Sequence, residues 1–504
     1  MFYTPVVTTR LMPSVERVSK SFTITNFAAH DGASSLAPLA KYHMGDAEKL
    51  KQAVYALYAP TSPAKTRGEA NAWLMSFTAT FPAWEAARTA LSDPDEKVQF
   101  IGANMFKMKV CSEWHSLPEG AKAQIYGVLK EVVGKIPMGA PDGFMRLTAA
   151  SKQLCLALAA AAVRSGALES FATDALTLAK DPSGKGAAVA IELLIALPQE
   201  LLERTTAQAP SGDGGPMTLA SSAPTLKRVQ SGEGAMLEGR PELRGLLPQV
   251  LQLLTAVVEH FGAGSGPEHA ECVTQCLKCL EKWNSLEMGY SLVMLADSFP
   301  ALLQCVLGAF TSPVEPLVVA AADAFVELLS SNNTVLSVGV ERQVCLRIAL
   351  GLPWPCHRPA LALPLLAAED RGLHPSSLLR TADCTPHQVA LTHQISNHLQ
   401  LVADQLRVKE AAAADDGTMS ESQYHFCRAL CAFADRAVDI VSTCQDDTLL
   451  PLVNLLFCCL GADLRVAELT VDFWASIQDT PLAQRHPQLG VLLYRELQMS
   501  SDCL

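Results

Sequence analysis

Apolar residues recur at helical spacing along most of this chain. Val98, Ile101, Met105 and Met108 step by three and four. Ile125, Val128, Leu129, Val132, Val133 and Ile136 do the same, and Leu247, Val250, Leu251, Leu254, Val257, Val258 and Phe261 hold one register. Leu452, Leu455, Leu456, Cys459 and Leu460 repeat it near the end. Such stripes mark the buried face of an amphipathic helix. Period-two alternation is almost absent, so essentially no sheet is expected. Start signals agree with helices. Asp181-Pro182 puts an acceptor before a proline at the first helical position. Ser312 with Glu315, and Ser116 with Glu119, have capping-box spacing.

The stripes come in pairs, near 46–80, 81–111, 117–162, 165–203, 239–288, 290–331 and 422–477. One pair roughly every 40 residues suits HEAT or armadillo-type repeats. A single pair cannot bury its own apolar face, whereas stacked pairs share a continuous core. The predicted fold class is therefore all-α, a helical-repeat superhelical solenoid. Two stretches interrupt it. Residues 205–238 are rich in Gly, Ser, Pro and Thr and read as a loop between helices. Residues 335–420 are irregular, broken by Pro353, Pro355, Pro359 and Pro364.

Composition narrows the class. Of 504 residues, 49% are apolar and 18% charged, enough to build a large core and too apolar for wholesale disorder. The net charge of −12 argues against a general nucleic-acid binder, which needs clustered Lys and Arg. The longest apolar run, Leu154 to Val163, is far short of a membrane span, so no membrane insertion is expected. Many of the 15 cysteines sit beside Leu or Phe, where reduced thiols act as small hydrophobes. Residues 1–45 carry Arg10 and many Ser and Thr, as a transit peptide does. Glu16 and Asp31 and the lack of an amphipathic helix favour a disordered extension.

Several motifs imitate chemistry. Ser183-Gly184-Lys185-Gly186 lacks the upstream Gly and following Ser or Thr of a phosphate loop. Gly262-Ala263-Gly264-Ser265-Gly266 follows a helix rather than a strand, so it makes no dinucleotide cradle, and Ala263 spoils a nucleophile elbow. Cys272, Cys276 and Cys279 have the spacing of an iron–sulfur ligand set. With Leu280 and Trp283 they also form one helical stripe, which reads as core. Cys427 and Cys431, four apart, read the same way. Cys356, His357, Cys384 and His387 have no zinc-finger spacing, and His393 and His398 do not closely share a helix face. The basic segment Leu226–Ser231 reads as a solvated loop. No metal or cofactor site is expected.

Particular segments carry a family likeness. Lys49 to Tyr58 is followed by Ala70-Asn71-Ala72-Trp73-Leu74, then Ala83-Trp84-Glu85, then Met105-Phe106-Lys107-Met108-Lys109-Val110 before Leu117-Pro118. The series resembles the opening repeats of importin-β (karyopherin) nuclear transport receptors, in the transportin-3 and importin-13 branch. Ala190 to Glu200, Phe426-Cys427-Arg428 and Val471-Asp472-Phe473-Trp474 resemble later repeats of that branch. The likeness is good over 47–135, fair over 165–290 and 422–476, poor over 335–420 and absent over 1–45. It divides the chain into importin amino-terminal-like repeats at 46–135, importin-β-like repeats at 136–334, an insertion or degraded repeat at 335–420 and further repeats at 421–504. Family members are roughly twice as long, and their carboxy-terminal, cargo-gripping arch has no counterpart here.

The resemblance implies binding rather than catalysis. Ran in its GTP form would dock on the inner helices of the first repeats and release cargo in the nucleus. The implied partners are Ran-GTP, basic or Arg/Ser-rich protein cargo such as splicing factors, and nuclear pore proteins. The implied localisation is shuttling between nucleus and cytoplasm. On the helix from Val98 to Val110, residues Gln99, Asn104, Lys107 and Lys109 lie off the Val98-Ile101-Met105-Met108 stripe and are the candidate Ran contacts. Trp73 and Trp84 are expected in the core. A scaffold that binds proteins without Ran is the alternative reading.

Overall fold

Stripes of period 3.6 become helices, and the ends of those helices are set by short-range chemistry. The computed structural model describes residues 44–136, 147–179, 186–208, 241–261, 266–286, 292–330, 386–412, 419–444, 447–462, 464–480 and 485–491. Among the described residues every regular element is a helix and no strand occurs. Of the expected extension 1–45, residues 1–43 lie outside the described residues, as do the segments 181–182, 226–231 and 352–357, while Met44 and Gly45 belong to the first helix.

The first hairpins are α1 (Met44–Tyr58) with α2 (Ala64–Thr78), α3 (Ala83–Ala90) with α4 (Glu96–Glu113), α5 (Glu119–Gly134) with α6 (Ala149–Ser165), and α7 (Leu168–Ala179) with α8 (Ala187–Gln208). Then α9 (Pro241–Phe261) pairs with α10 (Pro267–Asn284). The next pair has a divided first helix, α11 (Leu292–Ser298) and α12 (Pro300–Ala309), before α13 (Glu315–Ser330). The chain bends by 118° between α11 and α12, where Pro300 opens the second piece. The later helices are α14 (Pro386–Gln405), α15 (Val408–Ala412), α16 (Glu421–Arg436), α17 (Val438–Thr443), α18 (Leu450–Leu460), α19 (Leu464–Leu469) and α20 (Val471–Asp479).

Two boundaries differ from the sequence reading. The expected loop 205–238 begins later, because α8 runs on to Gln208. The irregular stretch 335–420 contains α14 and α15 in its described part. Pro386 sits at the first position of α14, and Leu391, Ile395, Leu399 and Val402 form its buried stripe. The prolines upstream mask this pattern when the stretch is read as one unit.

Caps also depart from expectation. Ser116 does not start α5. It lies in a 3-10 turn that prolongs α4, its hydroxyl donates to the Glu113 carbonyl, and Pro118 precedes α5 with no side-chain cap. Ser312 accepts from the Val314 N–H at 3.1 Å, one residue short of the Glu315 N–H that the expected box requires. A reciprocal box forms elsewhere, between Ser420 and Gln423 before α16. Asp95 caps α4 and Thr148 caps α6 through their side chains. At the other end of α6, Gly166 takes the left-handed conformation (φ 72°), and the Ala167 N–H closes the turn on the Ala162 carbonyl.

The hairpins stack through two rows. In the row of second helices, α4 packs on α6, α6 on α8, α8 on α10, α10 on α13, and α13 on α16. In the row of first helices, α1 packs on α3, and α7 on α9, which packs on α12. Alanine makes the close approach in the second row possible. Ala157 and Ala159 to Ala162 of α6 are all buried, as is α8 from Ala187 to Leu197. A helix apolar around its whole circumference is a central one. Phenylalanines carry the row across the break in sequence after α13. Phe310 meets Phe325 edge-on at 6.0 Å and Phe426 at 5.7 Å, and Phe325 lies 6.2 Å from Phe433.

Tryptophan placement differs in part from expectation. Trp73 stacks on Phe77 at 4.8 Å and Trp84 meets Phe106 edge-on at 5.6 Å, but both are half-buried at the side of the first hairpins. Among the described residues the fully buried tryptophans are Trp114 and Trp283.

Gly102 sets the distance between α3 and α4. A Cβ there would stand 2.8 Å from the Ala90 Cβ and 3.0 Å from the Ala87 carbonyl oxygen. Gly102→Ala must push the two helices apart, and it should lower stability by about 1–3 kcal/mol in urea unfolding despite the helix propensity of alanine. An unchanged or higher urea midpoint would contradict this packing.

Candidate functional site

The four candidate residues on α4 have separate destinations. Gln99 folds back and donates from Nε2 to the Asp93 carbonyl at 2.6 Å, closing the turn between α3 and α4. Asn104 faces α6, where its Oδ1 accepts from Gln153 Nε2 at 3.1 Å. Lys107 reaches α8, with Nζ 2.6 Å from Glu200 Oε1 and 3.2 Å from Glu203 Oε2.

Lys109 corrects the sequence reading most clearly. It does not sit on a solvated face: its side chain is only 1% exposed. The buried positions of α4 are Val98, Gly102, Ala103, Met105, Phe106, Lys109 and Val110, so the lysine belongs to the core stripe, while Ile101 and Met108 are only half-buried. Its ammonium caps the end of α2, donating to the carbonyls of Thr78 at 3.1 Å and Thr80 at 2.7 Å. A cation is favoured there because the last carbonyls of a helix are unpaired and carry the negative end of its dipole. Glu113 Oε1 lies 2.7 Å away and balances the charge, and the Trp84 ring lies under it at 5.1 Å. The Trp84 indole N–H donates to the other Glu113 oxygen at 3.0 Å.

Lys107 lies in a cluster formed by three helices. Glu200 of α8 is nearly fully buried and faces Lys107 of α4 and, at 3.9 Å, Arg164 of α6. Burial pushes the Glu200 carboxyl above its ordinary value, with the Lys107 ammonium pulling against that. For Lys107 burial works against the charge, but the bonds and charges of Glu200 and Glu203 outweigh it and hold the ammonium above its ordinary value. Burial also raises the neighbouring Cys111 thiol, so it stays protonated near neutral pH. The arrangement is a set of paired charges tying α4, α6 and α8 together. The Cys272, Cys276 and Cys279 stripe is fully buried in α10, and burial pushes the Cys279 thiol far above its ordinary value, away from a ready thiolate ligand. Among the described residues no three His, Cys, Asp or Glu side chains are arranged to hold a metal ion, and no single helix is long and apolar enough to cross a membrane. Cys356, His357 and Cys384 lie outside the described residues.

The open surface of the first hairpins is on α2. Only Ala70, Leu74 and Thr78 of that helix are buried. Lys65, Arg67, Glu69, Asn71 and Met75 are exposed. Among the described residues, the exposed aromatic side chains Tyr55, Tyr58 and Phe81 all lie on α1 or in the turn after α2. Reading for apolar stripes passes over α2 because Ala, Lys, Thr, Arg, Gly and Glu fill most of its first two turns. That lack of a stripe is itself the signal of an uncovered helix. No protein-family model matches this chain, and no curated protein matches it.

Lys109→Met keeps the volume of the side chain but strands two carbonyls and Glu113. It should cost on the order of 3 kcal/mol in urea unfolding at neutral pH. Burial also holds Lys109 below the ordinary lysine value of 10.5, against the pull of Glu113. Keeping this amine charged therefore weighs on the folded state. That burden lifts as pH rises through the lowered value towards 10.5. The wild-type chain should gain stability over that window relative to Lys109→Met. A parallel pH dependence in both would contradict a buried lysine.

Proposed function

We propose that the chain is a HEAT/armadillo-type solenoid of the importin-β family, in the transportin-3 and importin-13 branch. It binds Ran-GTP through its amino-terminal repeats and carries protein cargo into the nucleus. The observation that carries the reading is the row of second helices from α4 to α16, together with the α2 that precedes it and is left open to solvent. The sequence resemblance puts the GTPase on the inner helices of the first repeats, and α2 is the first of these. Exposed Lys65 and Arg67 in the first turn and exposed Met75 near the other end give that helix both charge and apolar area for a protein partner.

The contact set moves accordingly from α4 to α2. Lys107 and Lys109 tie the hairpins to one another, so their substitution acts on stability rather than on a partner. The net charge of −12 suits basic or Arg/Ser-rich cargo. Nuclear pore proteins are the further partners, and shuttling between nucleus and cytoplasm is the localisation. The mechanism is binding, with no cofactor, nucleic acid or membrane insertion required. A second reading, a HEAT-repeat scaffold that binds proteins without Ran, is favoured by the internal bonding of Gln99, Asn104, Lys107 and Lys109.

Binding of the purified chain to Ran locked with GTP and then with GDP separates the two readings. The receptor reading expects strong preference for the GTP form, weakened roughly tenfold by Lys65→Glu with Arg67→Glu. Equal or absent binding by a well-folded sample overturns it and leaves the scaffold.

A further inference from the structure

Three thiols converge where α16 meets α18. Cys427 and Cys431 stand one helical turn apart on the buried face of α16. Cys459 comes from α18, which packs against that face. Its sulfur is 3.7 Å from the Cys427 sulfur and in hydrogen-bond contact with Cys431 as well. Met419 adds a thioether 3.9 Å from Cys427. All three cysteines are buried. The packing of the two helices thus puts Cys459 between two alternative partners on a separate helix.

We propose that Cys427, Cys431 and Cys459 form a reversible redox switch, in which Cys459 closes a disulfide onto Cys427 with Cys431 as the alternate partner. A disulfide needs its sulfurs at about 2.05 Å, so oxidation must draw the 3.7 Å pair together. Here the Cys459 S–H donates to the Cys427 sulfur; on ionisation Cys459 becomes the acceptor, and the neighbouring Cys427 and Cys431 thiols then favour its thiolate against the opposing effect of burial.

The oxidant is hydrogen peroxide. The Cys459 thiolate attacks one of its oxygens, the O–O bond breaks, and the leaving oxygen departs as water after taking a proton. Cys459 then carries an S–OH group. The Cys427 sulfur attacks the Cys459 sulfur, the S–O bond breaks, and the hydroxide takes the Cys427 proton and leaves as a second water. Two thiols have lost two electrons and the peroxide has gained them. A free thiol reverses the bond by exchange. Oxidant reaches the cluster through local opening of the short helix α19, which packs on both α16 and α18. The closed form fastens α18 to α16, at the end of the row of second helices.

The test treats the full folded chain with hydrogen peroxide, blocks free thiols, and maps linked peptides by mass under non-reducing conditions. A peroxide assay on the same sample checks that oxidant stays in excess. The expected result is a Cys427–Cys459 link, reversed by dithiothreitol, that raises the urea midpoint. Cys427→Ala should shift the link to Cys431. The Cys427→Ala, Cys431→Ala double variant should leave Cys459 unlinked, and circular dichroism checks that each variant folds. An unlinked Cys459 in folded wild-type chain kept in excess peroxide would overturn the proposal. So would a link that forms only in denaturing urea.

Discussion

A proline inside a helix leaves one carbonyl without its donor, and this chain fills the gap from another hairpin. Pro198 lies within α8 and has no N–H to give to Leu194, four residues earlier. The indole N–H of Trp283, on α10, donates to that Leu194 carbonyl at 2.7 Å. Trp283 is fully buried, so the bond forms in a low-dielectric setting where an unpaired carbonyl is costly. A local defect in one helix thus fixes the position of the next helix in its row. The same tryptophan ends the cysteine stripe that faces the core, so packing and hydrogen bonding hold α10 in one register.

Comparable ties recur at the other steps of the row. Asn104 and Gln153 join α4 to α6, and the Glu200 cluster joins both to α8. Asn284 donates to the Glu327 carbonyl at 2.6 Å, joining α10 to α13. Arg428 pairs with Asp323, joining α13 to α16. Alanine faces and other apolar side chains let these helices approach closely, but they are weakly specific about sliding and rotation. A polar tie at each step adds direction, because a misplaced helix would leave a buried donor or acceptor unpaired. The Lys109 cap does the same between the first two hairpins. Rigidity of this kind suits a chain whose proposed work is to hold a long surface for a protein partner.

Helix content and the pairing of helices were legible from apolar spacing, because burial of one stripe per helix is a local property of sequence. The partners of polar side chains were not. Lys109 looked solvated because its type suggests solvent, and its burial follows from the end of α2 some thirty residues earlier. Trp283 and Pro198 were both visible, but their connection needs the stacking of two hairpins. Cys459 was read as one more apolar position of α18, since nothing in its own helix shows that Cys427 and Cys431 face it. The open side of α2 was missed for the opposite reason: it has no stripe to follow. The irregular prolines before α14 obscured a helix that begins at one of their number.

The most direct measurement is a double-mutant cycle on Pro198 and Trp283 by urea unfolding. Trp283→Phe keeps an aromatic ring and removes the donor. In the chain that retains Pro198 it leaves the Leu194 carbonyl unpaired. With Pro198→Ala, the new backbone N–H can bond that carbonyl within the helix. The account predicts that Trp283→Phe costs less when combined with Pro198→Ala, by roughly 1–3 kcal/mol. Effects that add to within about 0.5 kcal/mol would contradict it, and would make the tryptophan a packing residue alone.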